Sequence, residues 1–269
     1  MDIRKIYSSI NKKPTPHYFE INREERNYAA ILYAALCKRG NAEVFLKKCN
    51  CERKIEDDFA VYFEYAYLRD LWKEIGDGPT ANDYKKDIIR RTLDIKGINE
   101  ILELETVAIN KMFGVVGQPS KTHIQYPGKW SVANLDLNNT FTDSNEFLKI
   151  CKYKWAFNIK PDIVIHVDRD TAICIETKYE SGESQYPALQ AEKKIFNELK
   201  LPYTKQTQLQ KYMMEDLLGI DTTFVLIGKN VPKNDAYTFK HWENVFEDMD
   251  MADMHQSVRQ MASNPKVIS

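Results

Sequence analysis

Asp162, Glu176 and Lys178 lie in KPDIVIHVDRDTAICIETKYESGESQYP, Lys160 to Pro187, where two strand-like apolar runs carry charges in place of further hydrophobes. The runs PDIVIHV and TAICIETKY flank Asp168, Arg169 and Asp170, residue types that suit a tight turn. Strand side chains alternate, so Ile163, Ile165 and Val167 share one face of the first run, and Ile173, Ile175 and Thr177 share one face of the second. Asp162 and His166 then take the opposite face, with Cys174, Glu176 and Lys178. A hairpin centred on Arg169 pairs residues equidistant from it, which sets Asp162 directly across from Glu176. Opposed Cβ atoms are about 4.5–5.5 Å apart, close enough for both carboxylates to ligate one divalent cation. Without a cation the two charges would repel.

Magnesium takes oxygen ligands, commonly one or two carboxylates completed by water and substrate phosphate. Lys178, two residues beyond Glu176, projects from the same face. An ammonium there can orient an attacking water or neutralise charge developing on a phosphoryl oxygen. The set Asp162, Glu176 and Lys178 is therefore complete for metal-assisted phosphodiester hydrolysis. A Glu-Thr-Lys strand taken alone is more often the solvated face of a sheet. The cross-strand pairing, the Pro161-Asp162 start and the two-residue spacing of carboxylate and lysine favour the chemical reading. His166 lies four residues along the strand and reads as peripheral.

These residues resemble the PD-(D/E)XK, or restriction-endonuclease-like, nuclease superfamily. Pro161-Asp162 matches the first half of its motif and Glu176-Thr177-Lys178 the second. The resemblance implies that Asp162 and Glu176 bind Mg²⁺, with Mn²⁺ as a substitute. It also implies that Thr177 adds its backbone carbonyl and that Lys178 serves the attacking water. Gln208-x-x-x-Tyr212 in QTQLQKYMM is similar to the Q-x-x-x-Y helix of the RecB-like branch, whose two residues lie near DNA; at this spacing they share a helix face. The family usually adds an acid from an earlier helix. Glu25 in REERNYAAILYAAL carries that likeness, and it is also explained as a capping glutamate. Glu105 is a rival, within the apolar stripe Ile98, Leu102, Ala108, Ile109 and Met112.

The elements that must position these groups are legible as patterns. NREERNYAAILYAALCKRG reads as a helix with Asn22 as N-cap and Gly40 as its stop. Further helices are expected in DDFAVYFEYAYLRDLWKEIG, TANDYKKDIIRRTLDIKG and INEILELETVAINKMFG. GVVGQPSKTHIQYPGKWSVANLDLNNTFTDS reads as short strands with loops, and SNEFLKICKYKWAF as a helix. After the hairpin come helices at PALQAEKKIFNELK and QTQLQKYMMEDLLG, a strand at TTFVLIGK, and a closing acidic helix with a loose tail. The expected fold is α/β, a restriction-endonuclease-like core with a central mixed β-sheet flanked by helices. A single domain over 1–269 is expected, with core elements 22–40 and 116–230, a largely helical insertion 41–115, and a C-terminal helix and tail 231–269.

Composition sets bounds. The 269 residues are 43% hydrophobic and 29% charged, an ordinary globular balance. A formal net charge of -1 excludes a global positive field, so any nucleic-acid contact is local. KICKYKWAFNIK interleaves lysines with Tyr153, Trp155 and Phe157, which suits phosphate contact and base stacking; the aromatics fit better as a buried helix face. No apolar run reaches membrane-spanning length, and a cytoplasmic address is the default. Five cysteines without paired zinc spacing are expected to remain reduced. Phosphate-loop, serine-elbow and HExxH motifs are absent. The leading expectation is a nuclease acting on DNA in restriction or anti-phage defence, with a homodimer left open. The alternative is a noncatalytic nucleic-acid-binding or assembly protein on the same fold.

Overall fold

The computed structural model describes residues 25–137, 141–178, 182–229 and 237–263. The Asn22 cap, the polar lead-in and the end of the tail lie outside them. In chain order the elements are α1 (Glu25–Leu36), α2 (Arg39–Lys48), β1 (Ala60–Phe63), α3 (Tyr67–Ile75), α4 (Pro79–Thr92), α5 (Ile98–Leu102), α6 (Thr106–Met112), α7 (Val132–Leu137) and α8 (Ser144–Ala156). There follow β2 (Ile163–His166), β3 (Thr171–Thr177), β4 (Gln185–Tyr186), α9 (Gln190–Glu198), β5 (Thr204–Lys205), α10 (Gln206–Lys211), β6 (Asp221–Gly228), β7 (Thr238–His241), α11 (Trp242–Val245) and α12 (Gln256–Ser263). The class is α/β, with a central mixed sheet flanked by helices. The chain divides into two compact units, each assembled from separated segments. Among described residues the first takes 25–63, 162–178, 182, 223–229 and 237–263, and the second 64–137, 141–161 and 183–222. The stretch 41–115 is thus shared between the units.

The first unit holds the five-stranded sheet, ordered β1-β2-β3-β6-β7. β1 and β2 are antiparallel, as are β2 and β3, whereas β6 and β7 are parallel. Ile163, Ile165, Val167, Ile173, Ile175, Val225 and Ile227 form one apolar face. Tyr28, Leu32 and Leu36 of α1, Phe45 and Leu46 of α2, and Trp242 and Phe246 pack into the same core. Full burial of each such aliphatic or aromatic side chain contributes about 1.5–3 kcal/mol, so this face is what holds α1 against the hairpin.

Three expectations for this unit are corrected. AVYF is strand β1, the sheet edge, and no helix. Phe59, Val61 and Phe63 alternate onto the core side, Tyr62 is left 47% exposed, and β2 supplies the ladder bonds a helix would otherwise make internally. The first helix stops at Leu36, four residues before Gly40, which lies inside α2. Asn41 causes the break, because its buried Nδ2 donates to Ala35 O and Asp250 O while its Oδ1 accepts from Asp250 N. The closing acidic helix is two pieces, α11 and α12. Asp248 between them adopts a left-handed conformation (φ 63°) that a helix cannot accommodate.

The second unit is mainly helical, with a small β4-β5 ribbon. Among described residues, the strands expected within 116–143 are absent. Buried Asn110 donates to Ser120 O and His123 O and accepts from Gln125 N; Asn82 donates to Thr122 O and accepts from Ile124 N. Two asparagine side chains thus satisfy backbone groups that would otherwise need a partner strand. In α8, Tyr153 and Trp155 are buried, as is Phe157 just after it. Lys154 makes a 2.9 Å pair with buried Glu192, Lys149 pairs with Asp94 and, beyond the helix, Lys160 pairs with Glu64. The aromatics are core and these three lysines serve the fold.

Candidate active site

β2 and β3 pair with Ile163 opposite Ile175, Val164 opposite Cys174 and Ile165 opposite Ile173. Continued by one residue, this register sets Asp162 across from Glu176, as the hairpin arithmetic expects. Asp162 is half-buried at the entry to β2. Its Oδ2 accepts the Thr177 backbone N–H at 2.8 Å and the Thr177 hydroxyl at 2.6 Å. Burial raises the Asp162 carboxyl above its usual range, and nearby Glu25 adds to that; the Thr177 hydrogen bonds and Lys178 oppose it.

Glu176 is 1% exposed, which would be prohibitive for a lone carboxylate. Its Oε1 accepts from the Lys178 ammonium at 2.6 Å. The same Nζ stands 3.5 Å from Glu25 Oε1 at the start of α1. Burial pulls the Lys178 ammonium down, but the Glu176 carboxylate, with Glu25 and Asp162, more than offsets that and holds it above its ordinary value. Cys174, fully buried between these positions in sequence, is pushed well up by burial and by the charges of Glu176 and Asp162. The sheet end is a region of concentrated negative charge with one ammonium at its centre.

Lys178 is held by its backbone as well. Its N–H donates to Ile227 O at 2.7 Å, and its carbonyl accepts from Trp242 Nε1 at 3.0 Å. Sequence reasoning missed Trp242 because 64 residues separate it from Lys178 and no local pattern marks the contact.

The donor set suits a hard cation. Among described residues, Asp162 Oδ1 makes no hydrogen bond, and the Glu176 carboxylate stands across the hairpin from it. No grouping of three or more His, Cys, Asp or Glu side chains arranged for a metal occurs among the described residues. Two carboxylates with the Thr177 carbonyl and waters completing the shell would suit magnesium, which commonly takes only one or two carboxylates.

The remaining candidates are placed as follows. Glu105 is exposed, at the N-cap of α6 in the second unit, and not in an apolar stripe; an irregular turn between α5 and α6 rotates it outward. Gln208 and Tyr212 also belong to the second unit. They share a helix face, with the Tyr212 N–H donating to Gln208 O. Gln208 is exposed, and its Oε1 accepts the Lys205 N–H. Tyr212 is half-buried, with its hydroxyl pushed up chiefly by burial. It opens a wide π-helical segment, Tyr212–Leu217, in which Leu218 N reaches back five residues to Met213 O. Glu183 caps the start of α10 by accepting from the backbone and hydroxyl of Thr207. His166 lies edge-on to Tyr62, and burial pulls its imidazole down against the opposing effect of Asp168. All five cysteines are free thiols, and no helix among the described residues is long and apolar enough to cross a membrane.

Compared with protein-family models, curated proteins and solved structures, the chain matches none, so any reading of its function rests on the site's own geometry.

Proposed function

We propose that this protein is a divalent-metal-dependent nuclease of the PD-(D/E)XK, restriction-endonuclease-like kind, hydrolysing phosphodiester bonds of DNA. By analogy with that family alone, the setting would be restriction or anti-phage defence. The observation that carries the reading is the convergence of Asp162, Glu176 and Glu25 around the Lys178 ammonium, from β2, β3 and α1. A solvated sheet face explains this poorly, since Glu176 is 1% exposed and burying a carboxylate is costly.

In this reading Asp162 and Glu176 hold Mg²⁺ or Mn²⁺ through carboxylate oxygens, and Thr177 contributes its carbonyl. The bound cation supplies Lewis acidity to the phosphodiester. Thr177 keeps Asp162 turned to present Oδ1, through its N–H and hydroxyl on Oδ2. Lys178 donates hydrogen bonds to the water that attacks phosphorus, or to the phosphoryl oxygen that gains charge. The water oxygen bonds to phosphorus and gives up a proton to bulk solvent, the P–O bond to the leaving strand breaks, and the leaving oxygen takes up a proton from solvent. Glu25, 3.5 Å from the ammonium, gives it a second carboxylate besides Glu176. Gln208 and Tyr212 are assigned to nucleic-acid contact on the family pattern.

The test is cleavage of plasmid and single-stranded DNA by purified protein with Mg²⁺ or Mn²⁺. Cleavage that chelation abolishes is expected; inactivity on every DNA and RNA substrate with either metal overturns the reading. Glu25→Gln separates the helix-borne acid from the hairpin. The Glu25 pair with Lys178 is partly exposed, at 28% and 17%, and long at 3.5 Å, so its loss changes stability by less than about 1 kcal/mol. Cleavage is expected to fall about tenfold, as one contact to the ammonium is lost. An unchanged rate removes Glu25 from the site.

A further inference from the structure

We propose that Trp242 is the positioning residue for Lys178, fixing the ammonium between Glu176 and Glu25; this rests on the nuclease reading above. Lys178 lies one residue past the end of β3, where the regular ladder no longer constrains it. Two backbone hydrogen bonds replace the ladder, one to Ile227 O at 2.7 Å and one from Trp242 Nε1 at 3.0 Å. The second comes from a side chain, so its geometry depends on how the indole is packed.

That packing ties the indole to the other carrier of the site. Trp242 is 1% exposed, and its ring lies 5.6 Å from Tyr28 and 6.2 Å from Phe246. Tyr28 is itself fully buried, three residues after Glu25 on α1, so the two lie on neighbouring positions of one helix face. Trp242 thus holds the Lys178 backbone with its N–H and α1 with its ring. β7 delivers it there: β7 runs parallel to β6 with His241 opposite Gly228, and Trp242 follows immediately.

A purely structural role would be satisfied by the ring alone. A positioning role needs the N–H, because without it the Lys178 carbonyl loses the contact that sets the direction of its side chain. Small misplacements of a catalytic group cost rate without costing binding, on the order of a hundredfold per ångström.

The experiment compares wild type, Trp242→Phe, and a protein carrying 3-benzothienylalanine at position 242, which keeps the bicyclic shape and replaces the N–H by sulfur. Phe246→Leu serves as a control that loosens the same packing without touching Lys178. Cleavage kinetics with Mn²⁺ and thermal melts are measured on each. The expected result is a kcat about ten- to a hundredfold lower in both Trp242 proteins, with KM nearly unchanged and the benzothienylalanine protein melting close to wild type. Phe246→Leu is expected to melt lower while keeping its kcat. Wild-type kcat in the benzothienylalanine protein overturns the inference and leaves the nuclease reading intact, as does an equal kcat loss in Phe246→Leu. A wild type inactive on every substrate overturns the nuclease reading and this inference with it.

Discussion

Asp162→Asn is expected to lower metal-dependent DNA cleavage by about a thousandfold, equivalent to about 4 kcal/mol of lost transition-state stabilisation. The substitution keeps the side-chain shape and an oxygen that can accept from the Thr177 N–H and hydroxyl, now made at 2.8 and 2.6 Å. What disappears is the negative charge that would bind the cation. Folding is expected to survive, and for a specific reason. The Asp162 carboxyl is raised by its burial, so in metal-free buffer the folded chain holds this proton more tightly than the unfolded chain, whose carboxyl titrates near about 3.9. That contribution to stability is fully present below about pH 4 and is lost as pH rises through the raised folded value. At neutral pH the charged aspartate is therefore a burden in the metal-free protein, and Asp162→Asn should melt no lower than wild type. Mn²⁺ should raise the melting temperature of wild type and leave that of the variant unmoved. Full cleavage by Asp162→Asn, or equal stabilisation of both proteins by Mn²⁺, counts against Asp162 as a ligand.

Lys178→Met gives the second large effect, and its stability signature is opposite. Methionine retains most of the apolar stem and removes the ammonium that sits 2.6 Å from Glu176 Oε1. Glu176 is 1% exposed on its side chain and Lys178 17%, so a buried carboxylate loses its nearest cation. A cost of about 3 kcal/mol is expected, the lower end for breaking a buried pair, because the lysine keeps some access to water. Cleavage should fall about a hundred- to a thousandfold, the usual effect of removing a donor aimed at developing charge. Metal should repair the stability but not the rate. With the ammonium gone, the carboxylates of Asp162, Glu176 and Glu25 meet an incoming cation without a competing positive charge. Titration with Mn²⁺ should therefore give tighter binding to Lys178→Met than to wild type, and a larger rise in melting temperature. Weaker binding by the variant would mean that the lysine helps hold the metal, contrary to the arrangement proposed here.

The pair of variants distinguishes two parts of one cluster. Asp162→Asn removes affinity for the cation and spares the fold; Lys178→Met spares affinity and strains the fold. A sheet face whose charges served only solubility would answer to neither pattern, since exposed charges change stability by a few tenths of a kcal/mol.

The sequence by itself determined the hairpin and what it brings together. With the turn centred on Arg169, the pairing of the two short apolar runs keeps Ile163, Ile165, Ile173 and Ile175 on a common face, and the observed register is that one. A one-residue slip would send those isoleucines to the wrong side, so the carboxylate pairing follows from local arithmetic. The helices at 79–92 and 190–198 are equally legible, since their burial repeats with the helical period. Tertiary structure alone decided the rest. AVYF became an edge strand only because β2 offered it a ladder. The stretch 118–126 stayed irregular because Asn82, from a distant helix, and Asn110, from the helix just before it, satisfy its backbone. Glu25 reaches Lys178 across 153 positions of chain, and Trp242 across 64. Local pattern fixes which side chains share a strand face, because alternation is a property of the backbone. Which helix end and which indole complete the site depends on how α1 and α11 pack on the sheet, and packing is a property of the folded whole.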